Sequence, residues 1–206
     1  MNLQAETKRR TQILQAIRQA ALEEFAQNGQ AGASTNAIAK RAGLSKQQLF
    51  YYIDGKDRLY EDTLLAIIGA WDAQFFDSVD ADDPKAAISR YIDLKIRHAL
   101  ENPLECRLFS NEVARGAPVL RKHWDQSRAA SQKACRLIEG WIAAGKIAEV
   151  DPMVFQMELW AVTQHYADYE AQVRFFLGLN SDEKIDAQRL ITQAQQLFLR
   201  GVGFEI

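Results

Sequence analysis

The sequence is poor in the residues that interrupt or crosslink a fold, with four prolines and two cysteines in 206 residues. Cys106 and Cys135 are far apart, which excludes a disulfide framework and predicts buried, reduced thiols. No apolar run approaches the ~20 residues that span a bilayer, and residues 1–10 lack the apolar segment of a secretion signal. We therefore expect a soluble, cytoplasmic protein without a membrane partner.

Patterns that carry chemistry are also missing. There is no glycine-rich phosphate loop, no nucleophile elbow and no Cys-x-x-Cys pair. The histidines His98, His123 and His165 have no metal-ligand partner one helical turn away. His165 with Asp168 is better explained as a structural hydrogen bond than as a proton-transfer pair. The sequence thus predicts no enzyme, no metal and no cofactor.

The formal charge of −2 hides an uneven distribution. Residues 1–60 carry nine basic and five acidic side chains, a net charge of +4. The remainder carries 16 basic and 22 acidic side chains, a net charge of −6. A basic first quarter on an acidic body suggests that one end meets a polyanion.

Apolar residues recur at helical spacing from end to end, and no segment alternates as a strand does. Pro84, Pro118 and Pro152 are placed to open helices, and Gly145 and Gly178 to end them. We expect an all-α fold with an N-terminal domain at 1–55, a C-terminal domain at 56–206 and a joint at 78–83. The nine predicted helices are 7–28, 35–42, 46–52, 56–77, 84–100, 103–115, 118–144, 152–177 and 183–201.

Residues 35–54 have the pattern of a helix-turn-helix. Ile38 points inward from a short helix that Ser34 or Thr35 can cap, and Gly43 supplies the left-handed residue that turns the chain. Leu49 then packs back onto Ile38 from the second helix. Two helices joined by a turn of three to four residues in this way place the second helix in the major groove of DNA.

The second helix carries the candidate DNA contacts. Glutamine pairs with adenine, lysine with guanine or phosphate, and serine with either. Thr35 and Lys56, at the starts of the flanking helices, are placed for phosphate contacts. A solvated helix of an ordinary bundle, or a helical module that binds a protein partner, is the alternative interpretation. The candidates on the second helix are Ser45, Lys46, Gln47, Gln48, Tyr51 and Tyr52.

Residues 10–60 resemble the N-terminal domain of the TetR family of bacterial repressors. The stretches that carry the resemblance are 38–46, IAKRAGLSK, and 52–59, YIDGKDRL. The chain departs from the family pattern at Gln47, Phe50 and Ile53, where Gly, Tyr and Phe are usual. Phe50 cannot donate a hydroxyl hydrogen bond to phosphate, so that contact is either lost or moved to Tyr51 or Tyr52. The resemblance implies a homodimer that binds palindromic operator DNA and is released by a small molecule.

The body resembles the members of this family that sense pyrimidines, which implies uracil or thymine as the effector. The resemblance is carried by Trp71 and by 107–112, 116–118 and 160–169. A flat, polar ring needs aromatic walls and a few convergent polar groups. Core packing of the tryptophans, or a lipophilic effector, is the alternative. The candidate ligand residues are Trp71, Arg107, Glu112, Trp160 and Gln164.

The last helices carry more apolar surface than one core can cover, which predicts a partner subunit. The apolar positions of the terminal helix are Leu190, Ile191, Ala194, Leu197 and Phe198. A pair of helices from each subunit would form a four-helix interface.

Overall fold

The computed structural model describes residues 3–72 and 82–205, and these ranges contain helices and no strands. Helices α1 to α5 are Leu3–Gly32, Thr35–Arg41, Lys46–Tyr52, Lys56–Asp72 and Pro84–Glu101. Helices α6 to α10 are Pro103–Ala114, Trp124–Ala143, Pro152–Asp168, Glu170–Leu177 and Ala187–Gly201. The predicted all-α class is confirmed.

Local signals place most helix ends correctly. Pro84 and Pro152 stand in the first turns of α5 and α8, behind the capping side chains of Asp83 and Asp151. Gly178 closes α9 in the left-handed conformation at φ 68°. Gly29, at φ 65°, interrupts the helical path of α1 at the predicted end of the first helix.

Two predicted helices are wrong in extent. The span 152–177 is broken at Tyr169, where the backbone is non-helical and the ring of His165 stacks on that of Tyr169 at 5.0 Å instead of bonding Asp168. The span 118–144 begins as helix only at Trp124, after a 3-10 turn at Leu120–His123. Pro118 therefore precedes a turn and does not open α7.

The described residues group into two compact units. The first comprises those of Met1–Ile68 and Arg107–Arg121, so most of α4 and the end of α6 pack with the helix-turn-helix. Its interior has fully buried side chains from α1 to α4, among them Phe25, Ile38, Leu49 and Tyr60, with Phe25 and Tyr60 edge to face at 5.0 Å.

The second unit comprises the described residues of Gly69–Cys106 and Lys122–Ile206. Ile88 and Ile92 of α5, Ile138 of α7, Leu159 of α8 and Ile191 of α10 meet in its main core. The buried residues of α5 thus recur at the helical spacing that the sequence shows. None of the helices in the described ranges is both long and apolar enough to cross a bilayer.

Two sequence predictions concern residues that the structure does not describe. The predicted extension of the fourth helix to 77, and 78–81 of the predicted joint, lie outside the described residues. The domain boundary between 55 and 56 stays a prediction.

Candidate functional site

The turn between α2 and α3 has the geometry that its sequence predicts. Ser34 caps α2 by accepting a hydrogen bond from the amide of Ala37. Gly43 turns the chain at φ 70°, a conformation that costs an L-residue about 1–2 kcal/mol. Ile38 and Leu49 are both fully buried, so α3 is anchored along one face and presents the other to solvent.

Helix α3 begins with a reciprocal cap. The Ser45 hydroxyl accepts from the amide of Gln48 at 3.2 Å, and the side-chain oxygen of Gln48 accepts from the amide of Ser45 at 2.8 Å. Gln48 thus fixes the first turn and keeps its side-chain NH₂ as a donor, while Lys46 and Gln47 beside it are exposed. The first turn of α3 therefore displays cationic and amide donors on a rigid frame.

The C-terminal end of α3 carries three aromatic side chains. Tyr51 is 75% exposed and stands edge to face with Tyr52 at 5.1 Å. Phe50 is exposed as well. The guanidinium of Arg10, from the start of α1, lies 5.9 Å from the centre of the Tyr52 ring. Tyr51 is thus the hydroxyl of α3 that is most accessible to an external phosphate.

The two predicted phosphate contacts differ in their surroundings. Thr35 is half-buried as the first residue of α2, next to the capping Ser34. Lys56 donates to the carbonyl oxygens of Ala31 and Ala33, each at 3.1 Å, so its ammonium joins the start of α4 to the end of α1. A lysine has three donors, which leaves one for a phosphate.

A carboxylate brace holds α2 in place, and it was not identified from the sequence. Glu24 is buried and accepts from the amide of Ser34 at 3.0 Å. Arg41, at the end of α2, lies 3.2 Å from Glu23 and 3.6 Å from Glu24. The charges are distant in sequence from the groups they bind, so helical spacing could not reveal the brace.

Glu112 belongs to the first unit, where its carboxylate holds a turn. It is fully buried within the first unit, where one carboxylate oxygen accepts from the hydroxyl of Tyr60 at 3.0 Å. The other accepts from the amides of Val119 at 2.6 Å and Leu120 at 3.2 Å. Glu112 thus supplies the hydrogen-bond acceptor for two amides in the turn that precedes α7. Burial of the Tyr60 ring, together with the neighbouring Glu112 carboxylate, raises the pKa of Tyr60 above its usual range.

Trp71 meets a buried cation that the sequence analysis did not single out. The ammonium of Lys95 lies 4.2 Å from the centre of the Trp71 ring, and Lys95 is 8% exposed. The indole N–H of Trp71 donates to Nε2 of His98 at 2.8 Å. No carboxylate of the described residues lies within ion-pair distance of Lys95, and burial lowers its pKa. The only sequence signal was a lysine within an otherwise apolar helix face.

Trp160 of α8 lies beside the same stretch of α5. Trp160 is hydrogen-bonded to buried Tyr91, one turn before Lys95. One turn after Lys95, Ala99 clusters with Ala167 of α8 and with Cys106, against which Trp71 also packs. Gln164 is half-buried and lies between Trp160 and Ala167 along α8. The second unit therefore brings Trp71 and Trp160 to one segment of α5, Trp71 at Lys95 and Trp160 at Tyr91.

Arg107, Cys106 and Cys135 differ in how deeply they are buried. Arg107 is half-buried and belongs to the first unit, directly after Cys106 on α6. Cys106 is buried, which raises the pKa of its thiol to about 12. Cys135 is half-buried and contacts the side chain of Gln156 at 3.1 Å, so it is less enclosed than predicted.

A surface cleft of about 360 Å³ in the second unit includes none of the five predicted ligand residues. Arg97 and Arg174 line it and are paired with Asp93 and Glu170. The charges of these two arginines are therefore compensated within the chain.

Two family models together match most of the chain. Residues 17–63 match the model described as bacterial regulatory proteins, tetR family. Residues 64–205 match the model described as YcdC-like protein, C-terminal region.

Relatives and solved structures agree with these matches. The chain is 35% identical to the HTH-type transcriptional regulator RutR of Escherichia coli (strain K12) over 91% of this chain and 89% of that protein. It is similar in structure to the ketosteroid transcriptional regulator KstR2 of Mycobacterium tuberculosis, at a TM-score of 0.70, 13% identity and coverage of 92% and 94%. It is also similar to AibR in complex with isovaleryl coenzyme A and operator DNA, at a TM-score of 0.69 and 12% identity. That match covers 90% of this chain and 97% of the AibR chain.

Proposed function

The chain belongs to the TetR family of bacterial transcriptional regulators, and from that membership we propose that it is a pyrimidine-responsive repressor. In this proposal a homodimer binds a palindromic operator through α3. Uracil or thymine, bound in the second unit, releases the DNA.

The observation that carries the DNA-binding part is the display of α3. Leu49 buries one face completely, while the capped first turn presents Lys46, Gln47 and the NH₂ of Gln48 outward. Side chains held on a rigid helix can meet base edges without ordering the backbone. Gln48 offers its NH₂ to adenine N7, and Lys46 is suited to guanine or a phosphate.

Dimerisation is supported by apolar residues on the outer surfaces of packed helices. Val154 and Met157 of α8 and Leu197 of α10 are exposed, the last by 63%. The other apolar residues predicted on α10 lie in the subunit core, so Leu197 is the member of that set available to a partner. A two-fold pair of such surfaces would align two α3 helices with successive major grooves, ~34 Å apart.

The effector part rests on Lys95. A buried ammonium without a carboxylate partner is costly, and a ligand oxygen would compensate it. A pyrimidine offers ring carbonyls for Lys95, alternating donors and acceptors for the amide of Gln164, and a flat face for Trp71 or Trp160. Helix α4 carries Tyr60 in the first unit and Trp71 in the second, so a ligand against Trp71 acts on the helix that follows the DNA-binding segment.

The proposed function is tested by fluorescence anisotropy with a duplex from upstream of the protein's own gene and a scrambled duplex of equal length. We expect preference for the first duplex and a ~5–150-fold loss of that affinity with uracil or thymine. A response to fatty acids and silence with both pyrimidines would contradict the assigned effector. Equal affinity for the two duplexes would contradict the regulator itself.

Replacing Gln48 with alanine is expected to reduce the preference for specific over nonspecific DNA by about 0.5–1.5 kcal/mol, because the single hydrogen bond from its NH₂ to a base is lost. The same change removes the hydrogen bond from the Ser45 amide to the Gln48 side chain but keeps the one from the residue 48 amide to the Ser45 hydroxyl, so we expect a loss of no more than about 1 kcal/mol of unfolding free energy. Gln132→Ala is the matched control, since Gln132 is an exposed glutamine of α7 in the second unit. Equal losses on specific and scrambled DNA would remove Gln48 from base recognition.

A further inference from the structure

The N-terminal turns of α1 carry a basic cluster outside the part of the chain that matches the DNA-binding family. The family match begins at residue 17, whereas α1 begins at Leu3. The preceding residues add roughly 20 Å of helix at 1.5 Å per residue. We define the N-terminal basic cluster as Lys8, Arg9 and Arg10, all of them exposed.

These cations are not neutralised within the part of the chain that the structure describes. None of the three has a carboxylate within ion-pair distance. Other arginines of the same unit behave differently, because Arg41 is paired with Glu23 and Arg58 with Glu61 and Asp62. The cluster therefore keeps its charge available for an external anion.

One contact fixes the cluster beside the proposed recognition helix. The guanidinium of Arg10 lies 5.9 Å from the ring of Tyr52, the last residue of α3. Such a contact is worth about 0.5–1 kcal/mol when exposed. The only acidic group nearby along α1 is Glu6, one turn before Arg10, so the segment remains net positive.

We propose that the N-terminal basic cluster binds duplex phosphates that flank the major groove occupied by α3. The inference rests on the proposed function, because it takes α3 as the helix in the groove. Phosphates follow both edges of that groove, so cations next to the end of α3 face the backbone and not the base edges. The contact strengthens binding to any sequence and lengthens the DNA site.

The test compares the double variant Lys8→Ala/Arg9→Ala with Lys122→Ala/Lys184→Ala, which removes the same charge from exposed positions of the second unit. Arg10 is left in place so that its ring contact persists. DNA affinity is measured by anisotropy between 50 and 300 mM salt. Each lost phosphate contact should lower the slope of log affinity against log salt by about 0.9, and affinity at 0.1 M salt by about tenfold.

A second arm shortens the duplex one base pair at a time from each end. We expect the wild-type protein to lose affinity when the flanking phosphates are removed, and the Lys8/Arg9 variant to lose none at that step. An unchanged salt slope in this variant, with wild-type preference for the operator intact, would overturn the inference alone. If the wild-type protein bound the operator and a scrambled duplex equally well, the proposed function would be overturned, and the inference with it.

Discussion

Replacing Glu112 with alanine is expected to lower the free energy of unfolding by about 3–5 kcal/mol, one of the largest effects of any single substitution in this chain. The carboxylate is fully buried and accepts from Tyr60, Val119 and Leu120. Each buried donor left without an acceptor costs about 1–3 kcal/mol. Urea unfolding followed by circular dichroism measures the change.

Two variants control this experiment. Glu112→Gln keeps an acceptor for the amides of Val119 and Leu120, so we expect a smaller loss. Glu139→Ala removes an exposed glutamate from α7 and should change stability by no more than about 0.5 kcal/mol. If Glu112→Ala kept wild-type stability and lost only the response to an effector, Glu112 would be a ligand contact, as the sequence first suggested.

Replacing Lys95 with methionine is expected to raise the uracil concentration needed for half-release of DNA by about 10–150-fold. A hydrogen bond from a charged donor contributes about 1.5–3 kcal/mol, and methionine has a similar length but no donor. DNA affinity without effector should be unchanged. Lys184→Met, on an exposed lysine in the surface cleft, is the control. An undiminished uracil response in the Lys95 variant would contradict the effector site.

The same substitution has a consequence for stability. Burial lowers the pKa of Lys95 below the ordinary lysine value of 10.5. As pH rises through the lowered pKa, the folded protein releases this proton before the unfolded chain does. The free energy of unfolding therefore increases with pH up to about 10.5, and the penalty of burial is complete below the lowered pKa. Lys95→Met should remove that increase and stabilise the protein at neutral pH, as measured by unfolding from pH 7 to 10.

The helix-turn-helix could be predicted because its determinants are local. Gly43 adopts the left-handed conformation its position requires, and Ser45 caps the helix it precedes. Ile38 and Leu49 are buried as their spacing indicates. Family membership also confirms the prediction of a regulator in place of an enzyme.

The surroundings of the proposed effector site could be predicted only in part, because the contacting residues are distant in sequence. The spacing on α8 correctly put Trp160 and Gln164 side by side. It could not show that Lys95 faces Trp71, or that Glu112 binds the turn at Val119. The break at Tyr169 has no glycine or proline to mark it, so periodicity continued across it.

The most direct test of the central claim is guanine N7 methylation protection on an operator fragment, because N7 lies in the major groove. We expect two protected segments about 10 base pairs apart, each reduced by Lys46→Ala, because Lys46 is the side chain of α3 that is suited to guanine. Protection confined to the sugar-phosphate backbone, with every guanine N7 still methylated, would contradict a recognition helix formed by α3.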